Sequence, residues 1–208
     1  MIRGRFVTLE GIEGAGKTTA AKSLIGWLKE WGVDARVTRE PGGTPLAERV
    51  RDTVLMPSEE SMSPLAETLL MFAARSIHLE NLIRPTLARG NWIICDRFTD
   101  ATRAYQGAGR GVDRELIEHL AREVHRDLTP DRTIILDLPV ALGLDRVKQR
   151  GEARDRFDEE RHYFFEKVRN AYLEIARAEP ARVRVIDASR PLKDVQAQLR
   201  AAVQDLIE

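Results

Sequence analysis

Gly11-Ile12-Glu13-Gly14-Ala15-Gly16-Lys17-Thr18 fits the pattern G-x-x-x-x-G-K-[ST]. Glycines in such a loop let successive backbone N–H groups curl around phosphate oxygens, and a helix starting there adds partial positive charge. In that chemistry Lys17 bridges the β- and γ-phosphates, and Thr18 gives its hydroxyl to a magnesium ion. The expected nucleotide-phosphate site is therefore Gly11, Ile12, Glu13, Gly14, Ala15, Gly16, Lys17, Thr18 and Thr19. Asp96 ends the apolar run Trp92-Ile93-Ile94-Cys95. That places a carboxylate at the carboxyl edge of a sheet, where it can hold magnesium directly or through water. Arg97 follows at once, and an Asp-Arg pair facing a phosphate loop is better explained by a second bound anion than by a helix cap.

Such a site needs strands that end beside it. Five short apolar runs, 5–10, 35–38, 92–96, 133–137 and 183–187, lack clean alternation, as strands buried on both faces do. Helical spacing lies between them. Leu24, Ile25, Leu28 and Trp31 mark a helix over 17–31 with Gly32 as its stop, and Leu116, Ile117, Leu120 and Val124 mark another over 113–128. Ser63-Pro64 opens a helix expected to run to residue 88, and Pro191 opens the last one through Val195, Leu199, Val203 and Leu206. Strands alternating with helices predict a parallel sheet covered on both sides, a three-layer α/β domain spanning 1–208. Residues 150–161 stand apart, with four arginines and five acidic residues around Gly151. They read as a solvated helix junction or as a mobile charged lid.

The chain has 208 residues, 43% of them hydrophobic, enough for one good core. Its 33 basic and 33 acidic residues cancel, which argues against sequence-independent binding to nucleic acid or an anionic membrane. Only six of the basic residues are lysines, so the positive charge is mostly forked, bidentate guanidinium. One cysteine, Cys95, rules out an internal disulfide and suits a reducing compartment. With no signal-like segment and no apolar run of about 18 residues, a cytoplasmic protein with no membrane partner is expected. His78, His119, His125 and His162 fall in helical stretches and read as surface or helix-packing histidines.

The phosphate loop alone leaves switch GTPases, motor ATPases and small-molecule kinases open. A base-reading Asn-Lys-x-Asp is missing, and Arg97 occupies the position where ATPase machines place a second carboxylate. Taken in order, residues 10–19, Thr38-Arg39-Glu40-Pro41-Gly42-Gly43-Thr44, Phe72-Ala73-Ala74-Arg75, Asp96-Arg97-Phe98, Ala104-Tyr105-Gln106-Gly107 and Gly109-Arg110-Gly111 resemble the bacterial thymidylate kinases. The likeness runs from residue 5 to about residue 190, and the Arg-Glu-Pro-Gly-Gly and Tyr-Gln-Gly segments are far more specific than the phosphate loop.

The resemblance implies a P-loop nucleoside-monophosphate-kinase fold, a five-stranded parallel sheet flanked by helices with a short mobile lid at about 150–161. It implies transfer of the ATP γ-phosphoryl group to dTMP in a magnesium-dependent homodimer. Carried over, Glu13 accepts from the 3′-hydroxyl of the acceptor, which would explain a carboxylate in a phosphate loop. Phe72 stacks on thymine, Arg75 donates to a base carbonyl, and Arg39 and Arg97 hold the dTMP phosphate. Thr102 and Gln106 meet the base edge, and Tyr105 lies against the sugar. Ala101 stands where many relatives carry a hydroxyl, and Ala15 shows that the loop has no arginine. The catalytic cations beside Lys17 and Arg97 should then come from the lid, with Arg154 first, Arg156 next and Arg150 as the third candidate. A kinase of another nucleoside or nucleoside monophosphate, or a nucleotide-dependent switch, are the competing readings.

Overall fold

The five apolar runs become β1 (Phe6–Glu10), β2 (Ala35–Arg39), β3 (Trp92–Asp96), β4 (Arg132–Asp137) and β5 (Val183–Asp187). In the computed structural model, described over residues 3–56, 59–149 and 158–207, they form one parallel sheet in the order β2-β3-β1-β4-β5. Burial on both faces holds for β1, β3 and β4. The edge strands differ: β2 exposes Arg36, Val37 and Arg39, and β5 exposes Val185 and Asp187, because an edge strand has a neighbour on one side only.

The helices are α1 (Lys17–Glu30), α2 (Pro45–Leu55), α3 (Pro64–His78), α4 (Arg84–Ala88), α5 (Thr99–Thr102), α6 (Arg114–His125), α7 (Val140–Lys148), α8 (Asp158–Ala178) and α9 (Leu192–Gln204). Side chains from alternate strand positions sort to the two faces. Trp92 and Ile94 join Val7, Leu9, Ile134 and Leu136 under α1 and α9, where Leu24, Leu28, Leu199 and Val203 meet them. Ile93 and Cys95 point the other way, toward Leu79, Ile83 and Leu87, while Ile135 packs against Val168 and Tyr172 of α8. Three layers result.

One expected helix is interrupted. The run opened by Ser63, whose side chain accepts from the Ala66 N–H, leaves α-geometry at Leu79–Ile83, a π-helical turn, before resuming as α4. Pro85 supplies a cause: it has no N–H for the Asn81 carbonyl and its ring crowds that oxygen, which a wider turn accommodates. A second π-helical segment, Arg103–Gly109, carries Tyr105 and Gln106.

The connection after β1 runs outward to β2, and the one after β3 runs the other way, past β1 to β4. Leu9 pairs with Asp96, and Arg39 pairs with Asp96 from the other side. The loops after β1, β2 and β3 therefore open on one crevice at the carboxyl ends of the strands, the usual ligand position in such sheets.

Candidate active site

The loop after β1 turns through glycine geometry. Gly14 has φ 77°, and a Cβ there would lie 2.3 Å from the Gly143 carbonyl oxygen of α7. Only glycine permits that approach. Ile12 and Ala15 instead turn their side chains into the core, so they anchor the loop and can offer a ligand only backbone. Glu13, Gly14, Gly16, Lys17, Thr18 and Thr19 line a cavity of about 400 Å³ with Asp96 and Arg97. Lys17 is folded onto its own loop, its Nζ donating to the Gly11 and Ile12 carbonyls at 3.1 Å each. Burial, followed by the nearby positive Arg97, lowers its ammonium to about 8.

Arg97 holds a left-handed backbone, φ 71°, uncommon outside glycine. Three contacts support the strained turn. Its N–H donates to the Leu9 carbonyl at 2.9 Å, and the next N–H, of Phe98, donates to Glu10 Oε1 at 2.7 Å. The Tyr172 hydroxyl, from α8, donates to Glu10 Oε2 at 2.7 Å. Burial, helped by Asp100, pushes the Glu10 carboxyl up to about 8 against Arg97 and these two hydrogen bonds. The Arg97 side chain then stretches across the crevice, 3.2 Å from Glu13 Oε1 and 4.5 Å from the centre of the Tyr105 ring. The Tyr105 hydroxyl donates to Glu13 at 3.2 and 3.3 Å.

A second cavity, about 540 Å³, adjoins the first; Glu13, Glu40, Arg51 and Arg97 line both. Arg75, Thr102, Tyr105 and Gln106 line the second, as the sequence led one to expect. Arg75 is buried, donating Nε to Glu40 Oε2 at 2.7 Å and Nη2 to the Phe98 carbonyl and Thr102 Oγ1 at 3.1 Å each. Gln106 donates to Glu67 Oε1 at 2.7 Å.

Phe72 is not on the wall of either cavity. It is buried beside Ile117 and Ala121, with the Arg75 guanidinium 4.9 Å from its ring. Met71, its neighbour in the chain, lines the second cavity. The reason is helical pitch: Met71 and Arg75 are four residues apart and share a face, whereas Phe72 is rotated by about 100° from Met71. Arg39 also sits apart from the expectation, lining the phosphate-loop cavity and pairing with Glu48 at 3.0 Å. Arg51 of α2, which no sequence pattern marked, reaches both cavities and donates to the Pro41 carbonyl at 2.8 Å.

Thr18 and Asp96 line the same cavity, an oxygen pair of the kind magnesium takes. Glu40, His78 and Cys95 also gather donor atoms within 4.8 Å of one another. Each is already committed, Glu40 to Arg75, His78 to Thr38 and the Cys95 thiol to the Arg97 carbonyl, so the trio is a hydrogen-bond network. His78, expected as a packing or surface histidine, is fully buried within it. The lid residues Arg150, Arg154 and Arg156 lie outside the described residues.

The thymidylate kinase family model matches residues 9–199. The chain belongs to the thymidylate kinase family. It is 54% identical to the thymidylate kinase of Pseudomonas savastanoi pv. phaseolicola over 205 residues, covering 99% of this chain and 97% of that one. It is 52% identical to that of Alkalilimnicola ehrlichii over 207 residues, covering 100% and 95%. The crystal structure of the thymidylate kinase from Ehrlichia chaffeensis superimposes with a TM-score of 0.77 at 34% identity, covering 98% of this chain and 99% of that one. The fold is that of the P-loop nucleoside-monophosphate kinases, and the chain is a phosphotransferase of that class.

Proposed function

We propose that the two adjoining cavities divide the reaction between them, ATP phosphates in the loop of residues 11–19 and the acceptor monophosphate in the cavity beside Arg75. The chain transfers the γ-phosphoryl group of ATP to dTMP, giving dTDP and ADP. The observation that carries the assignment of sites is that Arg97, Arg51 and Glu13 border both cavities, so an acceptor phosphate held there faces the phosphate loop. The monoester's second pKa is near 6, which leaves a dianionic nucleophile at neutral pH. No general base is required; the protein brings two anions together and supplies cations to the transferring group.

Lys17 meets the β- and γ-phosphates, and Arg97 and Arg51 meet the acceptor phosphate, with Arg39 at the loop side. Arg75 and Thr102 read the base, Gln106 its edge, and Tyr105 with Glu13 the sugar. Met71, rather than Phe72, supplies the wall against the base. Thr18 and Asp96 would hold magnesium, which neutralises phosphate charge. Arg154, with Arg156 next, is the proposed lid cation. The working unit is one domain, 1–208, with a lid at about 150–161. A homodimer is supported by Leu65 and Leu69, exposed one helical turn apart on α3. No described helix is long and apolar enough to cross a membrane, and we place the enzyme in the cytoplasm without a nucleic-acid partner.

An ADP-release assay with dTMP, dUMP, dCMP, thymidine and no acceptor tests the reading. Turnover is expected with dTMP and none with thymidine. Activity on thymidine but not dTMP, or release without acceptor, would defeat it.

A further inference from the structure

His78, at the end of α3, has no assigned part in the chemistry, yet every polar atom of its ring is engaged in a fully buried setting. Its Nδ1 lies 3.0 Å from Glu40 Oε1 and its Nε2 lies 2.7 Å from Thr38 Oγ1. A carboxylate only accepts, so Nδ1 carries the proton and, in the neutral ring, Nε2 accepts from the threonine hydroxyl. The other Glu40 oxygen accepts from Arg75 Nε at 2.7 Å. Thr38, His78, Glu40 and Arg75 thus form one chain from β2 to the acceptor cavity. Of the Arg75 nitrogens, Nη1 is buried with no protein partner, in a side chain that lines that cavity.

The backbone is shaped around this ring. Gly43, φ 86°, passes so close that a Cβ there would sit 2.4 Å from His78 Nε2 and 2.5 Å from Thr38 Oγ1. The second glycine of the Arg-Glu-Pro-Gly-Gly segment is therefore required by the imidazole beneath it.

We propose that His78 is a positioning residue for base recognition: locked by Thr38 and covered by Gly43, it orients Glu40 so that Arg75 keeps its place in the wall of the acceptor cavity. The proposal rests on Arg75 as the donor to a base carbonyl. With Glu40 free to rotate, Arg75 loses its one charged anchor and keeps only the Phe98 carbonyl and the Thr102 hydroxyl, which weakens acceptor binding more than phosphate binding.

The test is steady-state kinetics on His78→Leu, Thr38→Val, His78→Asn and Arg75→Ala, well below each variant's thermal midpoint. For His78→Leu, KM for dTMP rises about tenfold and the preference for dTMP over dCMP falls similarly, while kcat and KM for ATP stay within about twofold, the effect of one lost hydrogen bond to a charged group. Thr38→Val moves the same parameters by less and carries the test alone if the leucine variant does not fold. His78→Asn restores an N–H near Nδ1 and recovers the parent KM. The proposal is overturned if Arg75→Ala raises KM for dTMP but His78→Leu and Thr38→Val do not. It is also overturned if kcat and both KM values deteriorate together with no rescue by asparagine. Unchanged dTMP binding in Arg75→Ala removes the base assignment itself, and the positioning role falls with it.

Discussion

Carboxylates beside the second cavity and on α5 are held by fixed partners, whereas the Lys17 ammonium donates to carbonyl oxygens of its own loop. Glu40 is held by Arg75 and His78. Asp100, which anchors α5, is held by Arg182 at 2.7 Å and Arg103 at 2.8 Å, with Thr133 donating at 3.3 Å. Although burial opposes it, Arg182 and then Arg103 keep the Asp100 carboxyl below its ordinary range. Lys17, by contrast, is buried beside another cation and lowered to about 8. The difference follows from the tasks. A base is recognised by shape and a few hydrogen bonds, which requires a prebuilt wall. Phosphates arrive with charge, and a desolvated cation short of counter-charge gains most when that charge arrives.

The largest effect expected from disturbing this contrast is on the phosphate side. Lys17→Ala should lower kcat by on the order of 10²–10³ and leave the urea midpoint nearly unchanged, since the lost ammonium was itself costly to bury. Retained turnover would take Lys17 out of the phosphate site. On the acceptor side the order reverses. Asp100→Asn should cost about 3 kcal/mol in urea unfolding, the lower end for breaking a buried pair because both arginines reach solvent. Its KM for ATP should hold while KM for dTMP rises, since α5 carries Thr102. A wild-type unfolding midpoint would show that the arginines find other partners.

The smallest effect lies at the junction of the two regions. Burial pushes the Glu10 carboxyl up to about 8 in the folded state, against an ordinary value of 4.5. Between those values the folded state holds the extra proton, so stability from this group is full below about 4.5 and is lost as pH rises through 8. Lys17 acts oppositely at higher pH, because its folded ammonium loses its proton near 8 and its unfolded one near 10.5. Glu10→Gln removes the first effect. Its thermal midpoint should fall less between pH 5 and 8 than that of the parent, because the proton difference between the folded and unfolded carboxyl is gone. Parallel curves would mean that Glu10 is ionised throughout.

Legibility differed between these regions for physical reasons. The phosphate loop is local: eight consecutive residues set both its backbone and its chemistry, and the strand and helix around it are short-range patterns. Thr102, Tyr105 and Gln106 were also legible, lying on one continuous segment. Phe72 is buried where Met71 lines the cavity, because a helix rotates about 100° per residue and the apolar spacing of α3 does not say which face meets the cavity. Arg51 and Tyr172 carried no signal, since each reaches the site from an element whose approach is set by packing. Glu10 offered one, a carboxylate at the end of a strand buried throughout.

By itself, the order of residues determined the parallel α/β frame, the phosphate loop, the Asp96-Arg97 pair and the family whose motifs the chain carries, because these depend on periodicity and contiguous spacing. Tertiary structure alone decided that Arg97 adopts a left-handed turn supported by Glu10, that Met71 rather than Phe72 lines the second cavity, and that His78 lies buried between Thr38 and Glu40. Those outcomes join residues as far apart as Glu10 and Tyr172, whose meeting depends on how helices pack across the sheet.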